Sequence, residues 1–193
     1  MSTARQSAIE LRKRGQPAAD ASLIDRAGAG DAAAFEALIA PRLDGLFRTA
    51  WAIVGDEADA RDATQDACVS AWRHLPRLRD VESFDAWLGR VLVNSCRMLL
   101  RRRRRVREIS MPDGFDMEAS PADRADRFAD IDAVSRAFDA IDVDARALLV
   151  LHHLRNEPIG RIGAVLGIPE GTVKWRLHAA RRALERALQG ESQ

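Results

Sequence analysis

The sequence predicts an all-α protein: two small helical domains joined by a flexible linker. Three observations carry this. Apolar residues recur at three- and four-residue steps along most of the chain, no stretch alternates as a strand would, and one central segment combines turn signals with many acids and few apolar side chains. A length of 193 residues suits two modest cores. The boundaries read as a tail over 1–21, a first domain over 22–105, a linker over 106–130 and a second domain over 131–193.

The tail mixes Arg, Lys, Gln, Ala and Pro without a strong apolar face. Beyond it, Phe35, Leu38, Ile39, Leu43, Leu46, Phe47, Ala50 and Trp51 form a helical stripe that Asp31 is placed to cap. Pro41 predicts a break within the stripe, because proline has no amide to donate in a helix interior. Gly55 and Asp56 close the segment. A second helix turns Ala60, Ala63, Thr64, Ala67, Cys68, Ala71, Trp72 and Leu75 inward and presents Asp59, Asp62, Gln65, Asp66 and Arg73 on its other side. Pro76 ends it, and a loop from Arg77 to Glu82 leads to Ser83, a candidate cap for the third helix. That helix carries Phe84, Trp87, Leu88, Val91, Leu92, Ser95 and Leu99 on one side and runs into the arginines. Trp51 and Trp72 read as core, whereas Trp87 suits either core packing or a DNA contact.

The linker is marked by Met111-Pro112-Asp113-Gly114 and Ser120-Pro121. After it, Val134, Phe138 and Ile141 form one short face, and Ala147, Leu148, Val150, Leu151 and Leu154 form another, capped by Asp142 or Asp144. His152-His153 reads as one core and one surface residue.

A net charge of +1 conceals blocks of opposite sign. Seven arginines fall within residues 97–107, ten acids within 113–144, and eight basic against four acidic residues from Arg146 onward. Such blocks point to local polyanion-binding surfaces. Cys68 and Cys96 have no metal-ligand spacing and read as reduced core thiols. The histidines show no metal spacing either, and the chain has neither a phosphate-binding glycine loop nor a nucleophile elbow, so no enzyme activity and no cofactor are expected. No apolar run reaches the ~20 residues of a membrane span and no apolar signal core opens the chain. The expected location is the cytoplasm, without membrane insertion.

The most specific local signal begins at Ile159. A helix-turn-helix needs a short first helix, a tight turn and a second helix free to enter the major groove. Gly167 offers the positive-φ position, Ile168 plugs the space between the helices, Pro169 suits the first turn of the next helix, and Gly163 permits a close crossing. With Val173, Leu177 and Ala180 turned inward, Lys174, Trp175, His178, Arg181 and Arg182 face outward. Gly171 and Thr172 lie at the helix start, where backbone amides favour a phosphate.

Three stretches together resemble the extracytoplasmic-function (ECF) sigma factors of the sigma-70 family, over roughly Ser22 to Leu188. Asp59-Ala-Arg-Asp-Ala-Thr-Gln-Asp-Ala-Cys-Val-Ser-Ala-Trp-Arg-His-Leu resembles region 2.2; Phe84-Asp-Ala-Trp-Leu-Gly-Arg-Val-Leu-Val-Asn-Ser-Cys-Arg-Met-Leu-Leu-Arg-Arg resembles regions 2.3 and 2.4; and Glu170-Gly-Thr-Val-Lys-Trp-Arg-Leu-His-Ala-Ala-Arg resembles region 4.2. The resemblance implies promoter recognition, −10 melting and transcription initiation with core RNA polymerase. Asp59, Asp62, Gln65 and Asp66 would bind the clamp helices of the largest polymerase subunit. Trp87, Arg90, Asn94, Arg97 and Arg101 would hold the melted −10 element, with the Arg77–Glu82 loop cradling a flipped base. Gly171, Thr172, Lys174, Trp175, Arg176, His178, Arg181 and Arg182 would read the −35 duplex. An anti-sigma protein is the implied regulatory partner. Trp175 stands where many members carry a small serine, and Ala179 where an arginine is frequent. The competing reading is a free-standing helix-turn-helix regulator that acts without polymerase.

Overall fold

A computed structural model describes residues 20–78, 80, 83–110 and 129–191. Residues 1–19, most of the linker, and Arg79, Val81 and Glu82 of the expected base-cradling loop lie outside the described residues. All regular structure among the described residues is helical: α1 (20–28), α2 (Ala32–Ile39), α3 (Leu43–Val54), α4 (Glu57–His74), α5 (Phe84–Ser110), α6 (Ala129–Ala140), α7 (Val143–Leu149), α8 (Ile159–Leu166) and α9 (Glu170–Glu191).

Local chemistry sets most of these ends. The Asp31 side chain accepts from Ala34 N at 3.0 Å, capping α2, and also takes Arg26 as an ion-pair partner at 2.6 Å. Pro41 sits in a 3-10 turn, Ala40–Arg42, that separates α2 from α3. Gly55 adopts φ 80° and ends α3; Asp56 then accepts from Asp59 N at 2.9 Å and starts α4. Pro76 lies in a second 3-10 turn, Leu75–Arg77. Ser83 donates its hydroxyl to the Asp80 carboxylate. Of the two candidate caps for α7, Asp142 does the work, accepting from Asp144 N. A π-helical turn, Val150–Leu154, follows α7 and brings the chain round to α8.

Several sequence expectations shift here. α5 continues through residues 106–110, where the sequence places the linker, and α6 begins at Ala129. The arginine run is the cause, since arginine is a good helix former and nothing in it breaks the hydrogen-bond ladder. Trp51, expected in the core, is 48% exposed and lies against Phe47. The α3 stripe turns Ala50, Ile53 and Val54 inward instead, which carries Trp51 to its edge. Leu154 (58%) and Val134 (48%) likewise leave their expected faces for solvent.

The first domain packs α3, α4 and α5 around Leu38, Ile53, Leu75, Leu88, Leu92 and Cys96. Each fully buried Leu or Ile contributes about 1.5–3 kcal/mol relative to exposure. Its α4 face is lined by Ala60, Ala63, Ala67 and Ala71, all at 0% exposure. Small side chains there let neighbouring helices approach closely. Trp72 closes the far end, edge-on to Phe35 at 5.0 Å. The second domain packs α6, α7 and α8 against α9 through Ala137, Leu148, Ile162, Val165, Val173, Leu177 and Ala180.

The two domains do not stand apart. Their buried side chains form one continuous cluster, with α8 lying across α5 and α7 beside α3 and α5. A Cβ added at Gly89 on α5 would sit 3.3 Å from Val165 Cγ2 on α8. A cleft of about 1110 Å³ remains between the halves, lined by Arg42, Gly45, Asp85, Leu151, Arg155 and Arg161 among others.

Candidate nucleic-acid and polymerase interfaces

The helix-turn-helix is built as its turn chemistry requires. Gly167 takes φ 70°, and its amide and that of Ile168 both return to the Gly163 carbonyl. Ile168 is half-buried against the core. Pro169 stands one position before the expected one: its carbonyl accepts from Val173 N, so it closes the first turn of α9 from outside. At Gly163 a Cβ would lie 2.8 Å from the Ile168 carbonyl, so the crossing is as close as the sequence implied.

Along α9 the buried stripe is Val173, Leu177 and Ala180. Trp175 and Arg182, seven residues apart, project from the opposite side, and Trp175 is 69% exposed. Lys174, Arg176 and His178 are exposed too, Thr172 is half-buried, and a Cβ at Gly171 would meet nothing within 4 Å. This face is therefore open to a groove. Arg181 differs from its neighbours, because its Nε donates to His153 Nε2 at 3.3 Å. Burial, reinforced by His152 and Arg181, holds His153 below the ordinary imidazole value, and the neutral ring serves as the acceptor. Of the histidine pair, His152 is half-buried and His153 exposed, their rings edge-to-face at 4.7 Å. Beside them an apolar groove of about 560 Å³ runs between Ala52, Phe138, Leu154 and Leu184.

On α4, Asp62, Gln65 and Asp66 form an exposed acidic face. Asp59 does not join it. It is 3% exposed, and Arg103 Nη1 lies 2.6 Å from its carboxylate. This third residue of α4 is turned toward α5, where an arginine of the basic run meets it. Burial pushes the Asp59 carboxyl above its ordinary range, against the pull of Arg103. Next to the acidic face, Phe35, Ile39, Leu43, Phe47 and Cys68 line a second apolar groove of about 600 Å³. Both cysteines behave as core thiols: Cys68 is half-buried with its thiol raised by burial, and burial pushes Cys96 up to about 12.

On α5 the expected strand-holding residues share one helix but have different surroundings. Arg101 is exposed, and Trp87 is half-buried, its ring tilted against that of Phe84 at 5.8 Å. Asn94 accepts from Arg97 Nη1 at 3.0 Å. Arg97 Nε donates to the Asp144 carboxylate of α7, and Arg90 donates to the Ala164 carbonyl of α8 and, at 3.4 Å, to Val165 O. Asp144, Ala164 and Val165, which receive these arginines, lie far from α5 in sequence and carry no motif that marks them as its partners.

Residues 38–106 match the family model for sigma-70 region 2, and residues 131–184 match that for sigma-70 region 4. The ECF RNA polymerase sigma factor SigM of Mycobacterium tuberculosis is 34% identical over 169 residues, covering 88% of this chain and 84% of that protein. The chain belongs to the ECF sigma factors of the sigma-70 family. As a sigma factor it directs RNA polymerase in transcription initiation, through DNA-binding domains. The region 2 match removes the free-standing regulator reading, which had left the first domain without a task.

Solved structures share this build. CnrH, in complex with the cytosolic domain of CnrY, is 28% identical, with a TM-score of 0.63 over 89% of this chain and 98% of that one. RpoE of Bartonella quintana, in complex with the anti-sigma factor NepR, shares the fold at 24% identity and a TM-score of 0.62, over 80% of this chain and 96% of that one. Sigma factors are generally non-catalytic. No helix among the described residues is long and apolar enough to cross a membrane, and no group of His, Cys, Asp and Glu there is arranged to hold a metal ion.

Proposed function

We propose a division of labour among three surfaces of this sigma factor. The α4 face of Asp62, Gln65 and Asp66 docks on the basic clamp helices of the largest subunit of core polymerase. Asp59 supports that face from beneath through Arg103 and makes no contact of its own. Trp87, Arg90, Asn94, Arg97 and Arg101 on α5 hold the melted −10 strand by stacking and by charge. Gly171 and Thr172 place the start of α9 on a phosphate, while Lys174, Trp175, Arg176, His178 and Arg182 enter the −35 major groove, with Arg181 at the edge. The open α9 face, built on a fully formed helix-turn-helix, is the observation that carries this reading furthest. The chain itself performs no chemistry and works in the cytoplasm, where polymerase and promoters meet. An anti-sigma protein restrains it, as the complex of the similarly folded RpoE with NepR suggests.

The deciding experiment is run-off transcription on promoters mapped for the purified chain, with and without core polymerase. Transcripts arise only when both are present. Failure of the chain to co-elute with core polymerase in gel filtration would overturn the reading.

A further inference from the structure

The chain holds four tryptophans. Trp51, Trp72 and Trp87 each lie against a phenylalanine ring, that of Phe47, Phe35 and Phe84 in turn. Trp175 has no such neighbour among the described residues and is 69% exposed. It stands on the side of α9 opposite the buried stripe of Val173, Leu177 and Ala180. One turn before it is Gly171, where a Cβ would meet nothing within 4 Å, and one turn after it is the exposed Ala179. A long side chain on a helix lies back over the preceding turn, so the indole rests over bare backbone. Gly171, Trp175 and Ala179 thus make one apolar shelf on the outward face.

The edges of this shelf are cationic. Lys174 and Arg181 flank it on one side and Arg176 on the other, with Arg182 two turns beyond Trp175. No acid falls between Gly171 and Leu184. The Glu170 carboxylate is folded back over α8, where a Cβ at Gly160 would lie 2.6 Å from its Oε1. A surface that is apolar at its centre and positive at its edges fits a partner that is apolar at its centre and anionic around it. The major groove of duplex DNA offers that combination, because the thymine C5-methyl is the apolar group among its base edges and phosphates border the groove. We infer that Trp175 reads the C5-methyl of a thymine in the −35 element, and so sets a T·A pair in the promoters this chain selects. The inference deepens the assignment of α9 to the −35 duplex and rests on it. The apolar contact supplies discrimination between bases, while Lys174 supplies affinity that does not depend on sequence.

The test is competition binding of the holoenzyme to duplex fragments of a promoter it transcribes, with each −35 thymine replaced in turn by deoxyuridine. That replacement removes the methyl and leaves the pairing edge unchanged. The wild-type holoenzyme should lose about fourfold in affinity at one thymine, the equivalent of one methyl group no longer withdrawn from water. Holoenzyme carrying Trp175→Ser should bind the thymine and uracil fragments alike, and Trp175→Phe should keep part of the difference. Wild-type binding that is indifferent to every thymine methyl, or a methyl effect that persists in Trp175→Ser, would overturn the inference. So would a Trp175-dependent loss seen only with 7-deazapurine fragments, since the indole would then act as an N–H donor to a purine. The assignment beneath it is read in the same assay. A wild-type holoenzyme that prefers the intact −35 element to a scrambled one, without a methyl effect, brings down the inference alone; one that shows no such preference brings down both.

Discussion

Arg97 on α5 donates through Nε to the carboxylate of Asp144 on α7, a partner 47 positions later in the chain. With its side chain 20% exposed against 42% for Asp144, Arg97 is partly withdrawn from water, where a charge-assisted bond is stronger than at an open surface. One contact thereby joins the helix proposed to hold the −10 strand to the domain proposed to read the −35 duplex.

Asp31 caps α2 through Ala34 N and is paired with Arg26, and these bonds, the backbone one foremost, hold its carboxyl below 3.8. A depressed carboxyl pKa stabilises the fold fully above the unfolded-state value and loses that contribution as pH falls through the folded one. Melting of the wild-type chain should therefore drop on acidification below about pH 4 more steeply than that of Asp31→Asn. Parallel pH profiles for the two proteins would show that the cap does not act through its charge.

His153 titrates below its ordinary value of 6.5 because burial, His152 and Arg181 all disfavour its charged form. A depressed histidine pKa likewise contributes above the unfolded value and is lost as pH falls through the folded one. Acidification from pH 7 toward 5 should lower the melting temperature of the wild type but have a smaller effect on His153→Gln. A His153 proton titration by NMR with its midpoint at or above 6.5 would contradict the assignment.

Gly167 holds φ 70° in the turn between α8 and α9. Gly167→Ala places a Cβ in the left-handed region and should destabilise the chain by about 1–2 kcal/mol, with Gly167→Asn costing less. Denaturant midpoints of the three proteins measure this order directly. An alanine variant as stable as the wild type would show that the turn can re-form with another backbone.

Lys174 is exposed on α9, whereas the Arg181 guanidinium is partly engaged by His153. Lys174→Ala should weaken binding to −35 duplexes whatever their sequence and lower the slope of log affinity against log salt by about 1. Arg181→Ala should change the slope less. A larger change for Arg181 than for Lys174 would mean that Arg181 leaves His153 when DNA binds.

What the sequence determined by itself is local. Asp31 as a cap, the break at Pro41, the left-handed turn at Gly167 and the inward stripe of Val173, Leu177 and Ala180 all follow from bonds or periodicities spanning a few residues. The three family stretches were legible for the same reason, since each lies within one helix. Tertiary structure alone decided the rest. It turned Asp59 inward to Arg103 and left Trp51 at the surface. It also committed Arg90 and Arg97 to carbonyls and a carboxylate of the second domain. A helical period reveals which side chains share a face but not what packs against it, and a charged residue's partner is set by the approach of whole helices. That approach is governed by the fit of small and large side chains such as Gly89 against Val165, which no local pattern records.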